Sequence, residues 1–360
     1  MAKSKMRFSI IFITIISVFF GAGCERTAVD VYIAGYEELE DGSAVAVYWK
    51  NGQRVALSSL PGSAWATSIT VSGSDVYIAG FEADEEGTLE AVYWKNREKT
   101  VLAKDAVSAW AASIAVSGAD VYAAGREMNA QGRFSAVYWK NGVKTDLSQG
   151  PLSSMAFAIS VADSSVYVGG NDANGEPAGM KAVYWKDGEK TVLSENSGNA
   201  SVSAIAVSGG DMYMVGSEDA VNVYWKNGVK TALGGGAAVS SVHSVAVSGG
   251  DVYTAGSEIN EAGKSMAVYW KNRRKTTLTE DAHSGFANAI RLVEADGLGG
   301  ADCYVAGRDT DSNNAGSAVY WVNGSKVILP KGNGVTSATA NDIYIKEQYQ
   351  RAKSNEQVAK

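Results

Sequence analysis

The sequence has little cysteine, histidine or proline: 360 residues include two cysteines, two histidines and four prolines. Two cysteines, Cys24 and Cys303, exclude a framework of several disulfides. Two histidines, His243 and His283, exclude a histidine-rich metal site, and the chain shows no Ser-His-Asp order and no glycine loop with Lys of the phosphate-binding kind. We therefore predict no enzyme: no catalytic residue, no metal ligand and no cofactor.

Basic residues are also scarce once residues 1–23 are set aside. That segment takes Lys3, Lys5 and Arg7 with it and no acid, so the remainder has 29 Lys and Arg against 39 Asp and Glu, a net charge of −10. Nucleic-acid binding needs a basic surface, and we predict no nucleic-acid partner.

The sequence has one long apolar run, from Phe8 to Phe20, behind a basic start and before "GAGC". Thirteen residues are too few to cross a bilayer as a helix, and the layout is typical of a secretory signal. Residues 1–23 are predicted to be a signal peptide.

The stretch "FGAGC" resembles a bacterial lipoprotein signal, although Gly21 stands where that signal usually has Leu. The resemblance implies that Cys24 is acylated and becomes the first mature residue, and that, with Glu25 following, the protein is anchored by its lipid at the outer membrane of the cell envelope. Ordinary secretion after cleavage behind Gly23 is the alternative. Two or three acyl chains would anchor a domain stably.

Tyr-Trp pairs recur seven times, with tryptophans spaced 40 to 51 residues apart: Trp49, Trp94, Trp139, Trp185, Trp225, Trp270 and Trp321. A period near 45 residues with short, turn-bounded apolar runs is that of propeller blades. In the copy at 66–104, four runs read as strands A to D: "ATSITVSG", "DVYIAG", "AVYWKNR" and "KTVL". Gly-Asp and Asn-Gly turns join A to B and C to D.

The first copy begins at a B strand and the last is followed by "TSATANDIYI", which we interpret as a short A strand with part of another B. Pairing of the two chain ends would close the ring and remove its free edges. We predict an all-β, seven-bladed β-propeller of four-stranded antiparallel blades over 24–346, a polar tail at 347–360, and a monomer.

These "DVYIAG" and "AVYWKNG" repeats resemble a family of bacterial secreted or lipoprotein β-propellers over residues 28–346. The resemblance implies the fold and brings no dependable activity with it. It differs from WD40 and kelch repeats, whose Gly-His, Trp-Asp and Gly-Gly signatures are missing.

The B-to-C and D-to-A connections vary between copies and lie together at one end of such blades, which makes that end the candidate binding face. The entry to strand A there carries Trp65, Trp110, Met155 and Phe286, with Ser201 and Ser241 in two copies, and His243 is predicted to line the channel. We predict these five large side chains as candidate ligand contacts. Packing between neighbouring blades is the alternative explanation and the one favoured for the apolar four.

Acidic loops at the same end include two fragments with calcium-loop spacing, Asp309, Asp311 and Asn313 in one and Asp172, Asn174 and Glu176 in the other. Both lack the full calcium-loop pattern, so solvated loops are the favoured interpretation.

We therefore expect a membrane-anchored, non-enzymatic scaffold that presents its variable loops to a protein or glycan. Two alternatives stay open: a scaffold for envelope assembly, and a polysaccharide hydrolase or lyase that uses loop acids such as Glu85 or Asp309.

Overall fold

The computed structural model describes residues 28–58, 62–104, 106–174, 179–233, 240–280, 283–294, 300–311 and 315–348. The strands of these segments form seven separate four-stranded antiparallel sheets, and the inner strands contact one another around a closed ring. The predicted seven-bladed β-propeller is confirmed. The predicted signal peptide, Cys24 and residues 349–360 lie outside the described residues.

Each blade has four strands, which are numbered along the chain and run in order from the inner to the outer strand. Blade 1 contains β28 (Val335–Gln348), β1 (Ala28–Leu39), β2 (Ala44–Lys50) and β3 (Gln53–Ala56). Blade 2 contains β4 (Ala64–Ser72), β5 (Asp75–Ala83), β6 (Leu89–Lys95) and β7 (Glu98–Val101). Blade 3 contains β8 (Ser108–Ser117), β9 (Asp120–Met128), β10 (Phe134–Lys140) and β11 (Val143–Asp146).

The remaining four blades follow the same plan. Blade 4 contains β12 (Ser154–Ala162), β13 (Ser165–Asp172), β14 (Lys181–Lys186) and β15 (Glu189–Val192). Blade 5 contains β16 (Ala200–Ser208), β17 (Asp211–Glu218), β18 (Val221–Lys226) and β19 (Val229–Ala232). Blade 6 contains β20 (Ser240–Ser248), β21 (Asp251–Ile259), β22 (Ser265–Lys271) and β23 (Arg274–Thr277), and blade 7 contains β24 (Ser284–Glu294), β25 (Ala301–Thr310), β26 (Gly316–Val322) and β27 (Ser325–Ile328).

The two chain ends close the ring, because β28 is the inner strand of the blade that β1 begins. Their antiparallel pairing runs from Ala28 opposite Gln348 to Leu39 opposite Val335. The expected short A strand with part of a B strand is instead one strand of 14 residues. It ends at Gln348, two residues beyond the predicted boundary. The Asp342 of "NDIY" is therefore no turn residue, although it resembles the turn Asp of "DVY".

The hydrophobic core lies between the blades and not within one of them. The seven tryptophans of the C strands are at most 3% exposed. Trp94 of blade 2, for example, shares a cluster with Tyr32 and Ala34 of blade 1. Each sheet needs apolar partners on both faces, and only the complete ring supplies them for every blade. This explains why the B and C strands have apolar residues on both faces.

A β-bulge interrupts every inner strand opposite the glycine that ends the repeated "DVYIAG" motif and its variants. In blade 2 a Cβ added to Gly80 would lie 2.0 Å from the carbonyl oxygen of Trp65, far inside van der Waals contact. Glycine at this position lets the two backbones approach. A Cβ added at any of the six equivalent glycines would likewise lie within 2.0 Å of the corresponding carbonyl oxygen. These glycines are Gly35, Gly125, Gly170, Gly216, Gly256 and Gly307.

The turns between A and B and between C and D are hydrogen-bonded to each other. Asn96, with a φ of 50°, donates from Nδ2 to Asp75 at 2.8 Å and accepts from the Val76 amide at 2.9 Å. Contacts with Asn96 and then Lys95 lower the pKa of Asp75. The side chain of the turn Asp thus bonds across to the C-to-D turn.

We predict that Gly80→Ala reduces the free energy of unfolding by about 3 kcal/mol, since the added methyl group must displace backbone. Gly300→Ala is the matched control, because a Cβ there meets nothing within 4 Å. Urea unfolding of both variants measures the difference, and equal stabilities would show that the close approach at Gly80 is not a constraint.

Candidate functional site

The B-to-C and D-to-A connections meet at one end of the ring, here called the loop face, as the strand order requires. One residue of each inner strand, two positions before the extra residue of the bulge, lies at the channel mouth on this face. The seven equivalents, fixed by their pairing with the B strands, are Trp65, Trp110, Met155, Ser201, Ser241, Phe286 and Thr339. The mouth is therefore bulky over blades 2 to 4 and small over blades 5 and 6.

Five aromatic rings form a continuous line over blades 1 to 3, here called the aromatic row. Successive centroids are 5.9, 4.9, 6.2 and 5.5 Å apart along Tyr36, Trp65, Phe81, Trp110 and Phe134. These distances and the tilted or stacked planes are those of favourable aromatic pairs. Each ring is only half-buried, so the row packs blade against blade and also contributes to the surface of the loop face.

Arg126 extends the aromatic row with a cation. Its guanidinium lies 4.6 Å from the Trp110 ring centroid and 5.1 Å from that of Phe134, and Nη1 donates to the Met155 sulfur at 3.3 Å. Burial lowers the pKa of Arg126, but an arginine starts so high that it stays charged. A flat apolar strip with one cation at its end suits a ligand with apolar faces and an acceptor group.

The five predicted contact residues do not form one cluster. Trp65, Trp110 and Met155 are brought together by the aromatic row and Arg126. Phe286 lies at the channel mouth in blade 7 and is 41% exposed. His243 lines the channel below the mouth. Sequence reasoning missed Tyr36, Phe81 and Phe134, because their partners across the blade boundary are distant in the chain.

The central channel is a cavity of about 160 Å³ lined by all seven inner strands. Each bulge turns one residue towards it, here called the bulge residue. Polar bulge residues donate to the carbonyl oxygen just before the bulge of the next blade: Thr67 to Ala111 at 2.7 Å, Asn288 to Ala340 at 2.9 Å, and Asn341 to Ala66 at 2.8 Å. These contacts join neighbouring inner strands around the channel.

His243 makes the same contact with an imidazole. Its Nδ1 lies 3.2 Å from the Ala287 carbonyl oxygen, and because a carbonyl only accepts, Nδ1 carries the hydrogen. Burial lowers the pKa of His243, with a smaller opposing effect from this hydrogen bond. Burial thus favours the neutral ring, in which Nε2 is an acceptor.

Asp342 and Arg291 form the charged pair that the sequence analysis did not find. Arg291 Nη2 lies 3.1 Å from Asp342 Oδ1, and both residues line the channel. The interpretation of "NDIY" as a B-strand start concealed Asp342. The signal was the spacing: Asn341 and Asp342 follow Ala340 as His243 and Ser244 follow Val242.

The acids that end the B strands are held in ion pairs. Glu37, which is fully buried, pairs with Arg54 at 2.5 Å, so it belongs to a strand and not to an acidic loop. The second residue of every D strand makes the equivalent bond in the other blades: Lys99 to Glu82, Lys144 to Glu127, Lys190 to Asp172, Lys230 to Glu218, Lys275 to Glu258 and Lys326 to Asp309. These carboxylates are structural.

One acid of each fragment with calcium-loop spacing is held in such an ion pair. Asp309 is held by Lys326 and, at 3.1 Å, by His283, while Asp172 is held by Lys190 and by Asn174. Asn313 and Glu176 lie outside the described residues. Among the residues that are described, no group of three or more His, Cys, Asp or Glu is placed to hold a metal ion.

No protein-family model and no curated protein matches the sequence. Solved structures match the fold. A puromycin-hydrolysing peptidase of Mycobacterium tuberculosis matches with a TM-score of 0.56 and 13% identity, over 84% of this chain and 52% of that one, so this chain spans about half its length. The β-propeller domain of the Trilobed protease from Pyrococcus furiosus matches with 0.51 and 11%, over 84% and 95%.

TolB from Acinetobacter baumannii matches with a TM-score of 0.46 and 10% identity, over 68% of this chain and 63% of that one. At their low identities, the matches to the peptidase and to the Pyrococcus domain show the fold and nothing more. The Pyrococcus domain is described as having an open velcro topology, whereas β1 and β28 pair along their length in this protein.

In the part of the chain with described structure, no helix is long and apolar enough to span a membrane.

We predict that His243→Asn makes the protein less sensitive to acid. The folded pKa of His243 is depressed, so the unfolded chain binds the extra proton first and wild-type stability falls as pH drops below the unfolded pKa of about 6.5. Asn is the bulge residue of blades 7 and 1 and keeps the hydrogen bond. Urea unfolding at about pH 7.5 and about pH 5 should show a smaller loss for the variant. An equal loss in both proteins would contradict a neutral, buried imidazole.

Proposed function

We propose that the protein is a membrane-anchored, non-enzymatic binding scaffold whose loop face binds a protein or glycan of the cell envelope. The observation that carries the proposal is the aromatic row, a partly exposed apolar strip with a cation beside it at the mouth of a rigid ring. Large exposed apolar patches on a soluble domain mark interaction surfaces. Aromatic residues and Arg are also the side chains that dominate binding energy.

The distribution of other exposed apolar side chains supports the same face. Of the ten large ones among the described residues, five lie at the loop face: Val107, Leu152, Val221, Ile259 and Phe286. The other five lie on the outer D strands: Val143, Val192, Val229, Val327 and Ile328. The loop face therefore has both the irregular connections and the large exposed apolar side chains that do not belong to the outer D strands.

A hydrolase is less well supported by this geometry. The acids at the ends of the B strands, Asp309 among them, are each matched by a cation, and Glu85 is a solvent-exposed loop residue. The likeness to a peptidase and a protease concerns the propeller fold. Binding by shape and apolar contact needs none of these acids.

We predict that Val107→Glu with Leu152→Glu weakens binding to an envelope protein or glycan by at least about tenfold, because charges then oppose apolar contact on the loop face. Val143→Glu with Val229→Glu is the matched control on the outer strands. Both pairs are exposed, so both variants should fold. The measurement is binding of the full chain to arrays of envelope proteins and glycans. Equal losses in the two double variants, or no binding by wild type, would contradict the proposal.

Anchoring through Cys24 yields a separate prediction. Cys24→Ser should abolish incorporation of radiolabelled palmitate and release the protein from the membrane fraction, whereas Cys303→Val should change neither. Val is the residue that most sister repeats have at the Cys303 position, and burial raises the pKa of Cys303 to about 12, which keeps it an unreactive thiol. Continued labelling of the Cys24→Ser protein would refute lipid attachment at that residue.

A further inference from the structure

The inner strand of each blade has one edge without a partner strand, and this edge faces the channel. The backbone N–H two residues after the bulge residue points from it and needs an acceptor; we call it the channel amide. In three blades the acceptor is a serine hydroxyl of the preceding blade, at 3.1 to 3.3 Å: Ile114 to Ser68, Ile159 to Ser113 and Ile290 to Ser244.

Blade 1 supplies a carboxylate in place of that hydroxyl. Asp342 Oδ2 accepts from the channel amide of Ile69 at 3.0 Å and from the Ser68 hydroxyl at 2.8 Å. Its Oδ1 accepts from the Ile343 amide at 2.9 Å and from Arg291 at 3.1 Å. The chain thus shows that the position beside a channel amide accommodates a carboxylate, and Asp342 has four donors to match its charge.

Blades 5 and 6 differ from the others. Ile205 and Val245 carry their channel amides, with the same pairing to the B strand that Ile69 has to Ile78. The preceding blades have Ala158 and Ala204 at the acceptor position, and a methyl group offers no acceptor. Blade 7 also has an alanine there, Ala289, but the channel amide of the blade after it, that of Ile343, bonds Asp342 Oδ1 instead. Two neighbouring amides therefore face the same cavity without the side-chain acceptor that the rest of the ring provides.

Arg291 places a positive charge in the same cavity. Its Nη1 donates to the Ile290 carbonyl at 2.9 Å, in the blade next to Val245. A guanidinium has five N–H donors, and its contacts with Ile290 and Asp342 use two of them. Its side chain is 37% exposed, so it is accessible from the channel.

We propose that the channel binds a carboxylate group, held by the main-chain N–H groups of Ile205 and Val245 with Arg291 beside them. Backbone N–H groups are strong donors that need an acceptor, and hydrogen bonds to a charged acceptor are about twice as strong as neutral ones. The site lies in the channel and is independent of ligand binding by the aromatic row. A small free carboxylate and the C-terminal carboxylate of a polypeptide present the same group.

The test uses the full chain in detergent, labelled with ¹⁵N-isoleucine and ¹⁵N-valine, with the two amide signals assigned through Ile205→Val and Val245→Ile. Sodium acetate and trialanine are titrated against sodium chloride at equal ionic strength, with amidated trialanine as the peptide control. We expect both amide signals to move with a carboxylate and not with chloride. Movement with acetate alone identifies a free acid as the ligand, movement with trialanine alone a polypeptide terminus, and movement with both the shared group.

Ala158→Ser with Ala204→Ser gives the two amides the hydroxyl acceptor used elsewhere in the ring. This variant should fold as the wild type does and bind the carboxylate at least about tenfold more weakly. Ala289→Ser is the matched control: it makes the same change in blade 7, where the channel amide of the next blade, that of Ile343, already bonds Asp342, and it should retain the wild-type affinity. Absence of movement with either carboxylate, equal movement with chloride, or unchanged affinity in the double serine variant would overturn the proposal.

Discussion

The close approach of a glycine to the carbonyl oxygen before each inner-strand bulge is the constraint on which this structure depends. No side chain fits at Gly80 or its six equivalents, so the inner strand is free to bulge against its partner. The bulge then decides three things at once: which residue reaches the channel mouth, which residue turns into the channel, and which backbone amide faces it. A repeated "AG" thus specifies the layout of the channel as well as the strand.

Much of the fold was predictable because these constraints recur in every copy. The seven buried tryptophans and the turn glycines indicate the number of blades. The incomplete first copy indicates that the two chain ends pair to close the ring. The contacts between blades were not predictable in the same way. Glu37 lies beyond the "DVYIAG" run of the first copy, because β1 continues further than its apolar alternation suggests. Only the position of Arg54 shows why a buried carboxylate is tolerated there.

The candidate sites were harder to predict than the fold for a related reason. The repeat pattern shows only the residues that all blades have in common. A site is formed by the positions at which the blades differ. The aromatic row joins rings from three blades, and the channel pair joins Arg291 to Asp342, 51 residues away. Asp342 was also misread, because "NDIY" copies the letters of a turn while occupying an inner strand. Sequence spacing places Trp65, Trp110 and Met155 at equivalent positions of neighbouring copies, without showing what lies between them.

Closure and the chemistry of the channel come from the same strand. If β28 served only to complete blade 1, a serine in place of Asp342 would satisfy the Ile69 amide, as Ser68 satisfies the next blade. A carboxylate there needs four donors, Arg291 among them, and so it introduces a charged pair into a channel otherwise lined by apolar and uncharged polar side chains in the described strands. Buried charge is costly unless matched, and here the matching is spread over blades 7, 1 and 2. The ends of the chain are thereby joined by the same interactions that make one side of the channel unlike the other.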